Sequence, residues 1–287
     1  MFPLTVKAFA KINLGLLITG KRHDGYHTLE TIFAPINWYD TLEFTEAYSI
    51  SMSCTNVDLP IDDNNLCIKA AKSLQQFAGI QKGIAIKLHK DVPFGAGLGG
   101  GSSDAATVLR VLNALWKTNA SPEELHSLAV KLGADVPYFL EMKGLAYARG
   151  IGDELDNLAF SLPYYVVTVF PEEHISTAWA YKNFYPRFGR ELPDLKKLAS
   201  ELCLFGKKEG FPAFENDFEQ AVFDHFPAVR LVKSALLGSG SVFSSLSGSG
   251  SALFGLFERK DEAVAAMKHL PEAYRMSLTP PGFSMEQ

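Results

Sequence analysis

Val92-Pro93-Phe94-Gly95-Ala96-Gly97-Leu98-Gly99-Gly100-Gly101-Ser102-Ser103-Asp104 runs without a break into a helical pattern, and that junction decides how the chain is read. Five of the seven positions from 95 to 101 are glycine. From Ser102 to Trp116, Ala105, Val108, Leu109, Leu112, Leu115 and Trp116 recur at spacings of three, four and seven, the mark of one apolar helix face. A glycine loop that opens a helix lays backbone N–H groups and the positive end of the helix dipole against an anion. So many glycines cost too much conformational entropy for an idle surface turn. The stretch predicts a phosphate site.

Rival phosphate loops fit less well. Gly95-Ala96-Gly97-Leu98-Gly99-Gly100 satisfies a bare G-x-G-x-x-G. A dinucleotide-binding unit would follow its helix with a strand ending in an acidic residue. Here a second helix follows: Ser121 as N-cap, Pro122 at its first position, Glu124 completing a capping box and Gly133 as its stop. No Gly-Lys-Ser/Thr closes the loop, and no His-Arg-Asp or Asp-Phe-Gly is present. Asp135, just past Gly133, is predicted on the turn into the next element.

Further out, Thr41 to Met52 and Gly83 to Lys90 have strand character, the latter through alternating Ile84, Ile86 and Leu88. Tyr164 to Phe170 and Ala252 to Phe257 read as strands, Trp179 to Phe184 and Asp261 to Leu270 as helices. Strands and helices alternate in both halves with no repeat and no low-complexity linker, which predicts two α+β lobes with a boundary near residue 155. The chain has 287 residues, 47% of them hydrophobic and 21% charged, so a sizeable core is available and disorder is not expected. With 27 Lys and Arg against 32 Asp and Glu, the net charge of −5 and the lack of a dense basic cluster point away from nucleic acid. Cys54, Cys67 and Cys203 lack C-x-x-C spacing, and their odd number does not suggest a disulfide framework. The histidines show no metal-ligand spacing, so no protein metal cage is expected. No signal-like opening and no long apolar run are present, and the chain is read as cytoplasmic, without a membrane partner.

Taken with Ala10-Lys11-Ile12-Asn13-Leu14 and Gly133-Ala134-Asp135-Val136-Pro137, the glycine loop and a second segment, Ser245-Leu246-Ser247-Gly248-Ser249-Gly250-Ser251, resemble the GHMP family of small-molecule kinases. The motifs stand in the family's order. The resemblance implies an α+β, two-lobed GHMP kinase fold, with a ribosomal protein S5 domain 2-like N-terminal lobe and a ferredoxin-like C-terminal lobe. It places an ATP-binding domain at residues 1–155, a C-terminal domain at residues 156–287, and the active site in the cleft between them. ATP and Mg²⁺ are the implied cofactors. The segment Pro93, Phe94, Gly95, Ala96, Gly97, Leu98, Gly99, Gly100, Gly101, Ser102 and Ser103 would hold the ATP phosphates or their metal, with Asn65 and Leu66 at the edge of the adenine pocket. Asp135 matches the family's catalytic aspartate. Lys11 matches the lysine that would hold it ionised and stabilise charge on the reacting groups.

Lys21-Arg22-His23-Asp24-Gly25-Tyr26-His27-Thr28-Leu29 is similar to a segment found in the branch of this family whose alcohol carries a cytidyl group. The implied partner is a small-molecule substrate, a cytidine diphosphate-linked methylerythritol phosphorylated at its 2-hydroxyl for isoprenoid precursor synthesis. Tyr26 would stack on cytosine, His27 would hydrogen-bond its edge, and Tyr181 would supply the second ring. Asn13, Thr177 and Gly248 complete the implied substrate contacts, and Asn216-Asp217-Phe218 is read as structural. Two alternatives stay open: another kinase of the family, of homoserine or mevalonate type, or a nucleotide-binding regulator without catalysis. The oligomeric state is left unassigned.

Overall fold

The computed structural model describes residues 3–285. Two long strands open the chain, β1 (Leu4–Lys21) and β2 (His27–Ala47), followed by β3 (Ile50–Cys54), α1 (Leu66–Ala78), β4 (Gly83–His89), α2 (Gly100–Trp116), α3 (Pro122–Leu132), α4 (Val136–Glu141), β5 (Ala146–Arg149) and β6 (Glu154–Asn157). Then come β7 (Tyr165–Phe170), α5 (Thr177–Asn183), α6 (Leu195–Phe205), a 3₁₀ turn (Lys208–Ala213), α7 (Glu219–His225), α8 (Pro227–Gly238), β8 (Phe243–Leu246), β9 (Leu253–Phe257), α9 (Lys260–His269) and β10 (Arg275–Thr279). These elements form two compact units. Of the described residues, one holds 3–10, 39–92 and 99–142, and the other holds 11–38, 93–98 and 143–285.

In the first unit, the C-terminal part of β2 pairs antiparallel with β4, Thr41 opposite His89 through Ala47 opposite Gly83. β3 runs parallel to β4. The expected single strand from Thr41 to Met52 is therefore two strands, broken at Tyr48 and Ser49 so that the chain re-enters the sheet on the far side of β4. Helix α2 packs against α1, α3 and α4. Its apolar face is as the spacing predicts except at Leu115, which is 41% exposed. The helix begins at Gly100, two residues before the start predicted at Ser102, because Gly100 and Gly101 carry no apolar pattern to mark them. The capping box of α3 is complete: Ser121 Oγ accepts from Glu124 N, and Glu124 Oε2 accepts from Ser121 N at 2.8 Å.

The second unit is built on a four-stranded sheet of order β10-β7-β9-β8 with every pairing antiparallel. In chain order the strands and intervening helices read βαββαβ, the ferredoxin-like arrangement expected. Val167 and Val169 of β7 and Leu253 and Phe257 of β9 pack under Val229, Val232 and Leu236 of α8 and Ala263 and Ala266 of α9. The N-terminal part of β2 pairs with β5, and β5 with β6. β1, which pairs with β2, escapes a pattern reading because residues 8–18 are buried without alternation. Among the described residues, no helix is long and apolar enough to cross a membrane.

Candidate active site

In the second unit the site grows from β1. Lys11 and Asn13 share a strand face, being two residues apart, and both are buried, at 3% and 2% exposure. A bare ammonium there would be costly. Lys11 Nζ donates to Asn13 Oδ1 at 2.6 Å and to Gly97 O at 3.2 Å, and it lies 5.0 Å from the Phe33 ring centroid. Asn13 Nδ2 donates in turn to Thr31 Oγ1 on β2 at 3.0 Å. Asn13 thus orients the lysine, while its amide keeps spare donor and acceptor capacity for a ligand.

The first half of the glycine loop is clasped by the second glycine-serine segment. Ser247 Oγ donates to Gly97 O at 2.9 Å and accepts from Asn13 N at 3.3 Å, while Ala252 N donates to Ala96 O at 3.1 Å. Gly97 has φ +77°, and a Cβ there would stand 2.0 Å from Ser247 O, so only glycine fits. Asn216 holds the segment from behind, donating to Leu246 O and Gly248 O, each at 2.9 Å. Asp217 accepts from Ile18 N of β1 at 2.7 Å and from Arg190. These bonds bear out the structural reading of Asn216 and Asp217. Thr177 opens α5, and its hydroxyl pairs with that of Ser249 at 3.2 Å.

Beside these lies an aromatic group. The His27 ring stacks on Tyr181 at 5.0 Å and 16°, with Phe184 edge-on at 5.4 Å and Phe188 stacked at 6.4 Å and 26°. Tyr181 is half-buried and also meets Phe218 edge-on at 4.9 Å, so it serves the core and the surface together. Tyr26, 62% exposed, presents its ring to solvent. Burial, followed by the charge of Lys21, lowers the His27 pKa from its ordinary 6.5.

In the first unit, α2 starts at Gly100 from a Gly99 N-cap with φ +70°. No side chain caps this end, and no acidic residue stands in its first turn. A 17-residue helix with an open, uncapped N-terminus offers donors and a positive dipole end to phosphate. Ser103 is buried and Ser102 partly so. A Cβ on Gly101 would meet nothing nearer than Leu66 Cδ1 at 3.8 Å. Glycine there is not demanded by the protein's own packing. Asn65 caps α1, with Oδ1 accepting from Cys67 N at 2.8 Å and Nδ2 donating to Pro60 O at 2.7 Å, and Leu66 follows at the start of that helix. Asp135 sits at the N-cap position of α4, partly exposed, on the turn the sequence predicts.

Three buried charges stand behind this helix start. Lys90 Nζ donates to Asp104 Oδ2 at 2.9 Å and to Asp40 Oδ2, and none of the three side chains is more than 3% exposed. Burial alone would lower the Lys90 pKa, but the Asp104 and Asp40 carboxylates more than reverse this and hold it above the usual lysine range. Burial pushes the Asp104 carboxyl up, against the pull of Lys90 and with the repulsion of Asp40. The motif reading missed this cluster. Its signal lay in the period: Lys90 follows Ile84, Ile86 and Leu88 at two-residue steps, on the face meant for the core. Among the described residues, no group of three or more His, Cys, Asp or Glu could hold a metal, and the three cysteines are free thiols.

Comparison with known proteins decides between the candidate folds. Residues 65–142 match the GHMP kinases N terminal domain, and residues 190–275 match the GHMP kinases C terminal domain. The 4-diphosphocytidyl-2-C-methyl-D-erythritol kinase of Pelodictyon phaeoclathratiforme is 82% identical over 287 residues, covering 100% of both chains. The chain belongs to the GHMP kinase family. Among solved structures, a 4-(cytidine 5'-diphospho)-2C-methyl-D-erythritol kinase matches this GHMP kinase with a TM-score of 0.83 and 37% identity, covering 98% of this chain and 100% of that one. A homoserine kinase from Cytophaga hutchinsonii has a TM-score of 0.72 at only 17% identity, covering 97% of this chain and 95% of that one. That second likeness is one of fold alone.

Proposed function

We infer that this GHMP kinase transfers the γ-phosphoryl group of ATP to the 2-hydroxyl of 4-diphosphocytidyl-2-C-methyl-D-erythritol, a step of the non-mevalonate route to isoprenoid precursors. The observation that carries the reading is full-length identity of 82% to a kinase named for that alcohol, against 17% to a homoserine kinase. The residue set supports it. The open N-terminus of α2 and the N–H groups of the glycine loop receive the ATP phosphates. The Ser102 and Ser103 hydroxyls would be oxygen donors for a Mg²⁺ ion, which would offset the charge of the ATP phosphates. As the bond from the γ-phosphorus to the β-bridging oxygen breaks and the bond to the 2-oxygen forms, the hydroxyl proton passes to the Asp135 carboxylate. Lys11, oriented by Asn13, stabilises the negative charge on the transferred group. Tyr26, His27 and Tyr181 hold the cytosine ring, with Thr177 and Gly248 toward the rest of the substrate.

The test is competition and substrate range. CMP should inhibit competitively with the alcohol, and His27→Ala should weaken that inhibition while leaving the KM for ATP unchanged. Methylerythritol phosphate, which lacks the cytidyl group and its remote binding energy, should be turned over very poorly. Efficient phosphorylation of homoserine or mevalonate, with no inhibition by CMP, would overturn the assignment.

A further inference from the structure

We propose that Lys90 is a positioning residue that fixes both ends of the phosphate loop through Asp40 and Asp104. The middle of the loop is clasped at Ala96 and Gly97, and a phosphate cradle also needs its two ends held before the ligand arrives. On the strand side, Asp40 Oδ1 accepts from Asp91 N at 2.7 Å and Val92 N at 2.8 Å, the two residues that lead into Pro93. Its other oxygen takes Lys90. On the helix side, Lys90 reaches Asp104 Oδ2 at 2.9 Å, and its Nζ lies 3.0 Å from where a Cβ of Gly100 would stand. Lys90 N is itself tied to Thr55 Oγ1 at 2.9 Å. One ammonium therefore joins the residues entering the loop to the first turns of the helix leaving it.

Stability alone does not account for this arrangement. Two carboxylates share one cation in a buried place, and Asp104 Oδ1 is buried without a hydrogen-bond partner. Apolar residues of similar size would serve a core at least as well. Buried polar networks of this kind specify geometry. Here the geometry specified is the distance from Val92 to Gly100.

The inference rests on the phosphate-loop reading above, and the experiment separates the two. Asp104→Leu keeps the bulk but accepts no hydrogen bond, so the helix end of the tether is lost. The KM for ATP should rise by at least about tenfold, as misplaced binding groups require, while the inhibition constant of CMP stays unchanged. Asp104→Asn, which still offers an oxygen to Lys90, should rescue the KM for ATP to within about twofold, since the loss is of a tether and not of a charge. If the leucine variant does not fold, Asp104→Ser, too short to reach Nζ, replaces it with the same expectations. A folded Leu or Ser variant with an unchanged KM for ATP would overturn the inference, as would an Asn variant as impaired as they are. Gly101→Val is the control. If it too leaves the KM for ATP unchanged, the phosphate-loop reading fails; if it raises the KM while the Asp104 variants do not, only the tether fails.

Discussion

Lys11 illustrates how a single residue is made reactive by its neighbours. Its ammonium is buried at 3% exposure, donates to Asn13 Oδ1 and Gly97 O, and lies 5.0 Å from the Phe33 ring centroid. These contacts fix where the ammonium stands on β1. Lys11→Ala or Asp135→Ala should lower kcat by at least about a hundredfold while circular dichroism and the unfolding midpoint stay close to wild type. Near-normal turnover in either folded variant would remove that residue from the mechanism. His27 carries a pH signature. Its folded pKa lies below the ordinary 6.5, so above that pH both folded and unfolded chains hold it neutral and it contributes nothing to pH dependence. As pH falls through 6.5 the unfolded chain takes the proton first, and stability is lost until the folded ring is protonated too. His27→Phe, which keeps a ring against Tyr181, should therefore gain on wild type in melting temperature only below about pH 6.5. A difference that grows above that pH would contradict the lowered value.

At the scale of elements, the glycine loop divides by what each glycine is for. Gly97→Val is a poor probe of phosphate binding, because its side chain would collide with the Ser247 carbonyl oxygen and the backbone would have to move. It should lower the unfolding midpoint and weaken every ligand together. Gly101→Val meets no such obstacle and sits in a helix, where valine is no worse than glycine. Its melting temperature should match wild type, while ATP affinity measured by calorimetry should fall about tenfold or more, the cost of losing a good hydrogen bond to a charged group. An unchanged ATP affinity in the folded Gly101 variant would take the N-terminus of α2 out of the phosphate site. The same division appears in α3, whose limits were legible because Ser121, Pro122, Glu124 and Gly133 act within one helical turn of where they stand. The start of α2 was less legible. Its first residues are glycines, which carry no apolar pattern.

Across the molecule, the helix caps of α3, the alternating strand β4, the glycine loop opening α2 and the turn that carries Asp135 follow from the order of residues alone. All are local: spacing of apolar side chains, capping chemistry and glycine backbone freedom act over a few residues. The tertiary structure decided what those pieces touch. Ser247 closes on Gly97 across 150 residues of chain, and Asn216 buttresses Gly248 from a loop read only as structural. The stacking of His27 on Tyr181 likewise joins the start of β2 to α5. The Lys90 cluster shows the limit most clearly. Asp40 shares its strand face with Trp38, Leu42 and Phe44, and Asp104 stands one helical turn before Val108, so the periods mark all three charges for burial. Nothing in a period says which buried charge meets which, because pairing depends on strands and helices brought together by long-range packing. That pairing is set only once the hydrophobic faces have found each other, since desolvation makes each unpaired alternative too costly to persist.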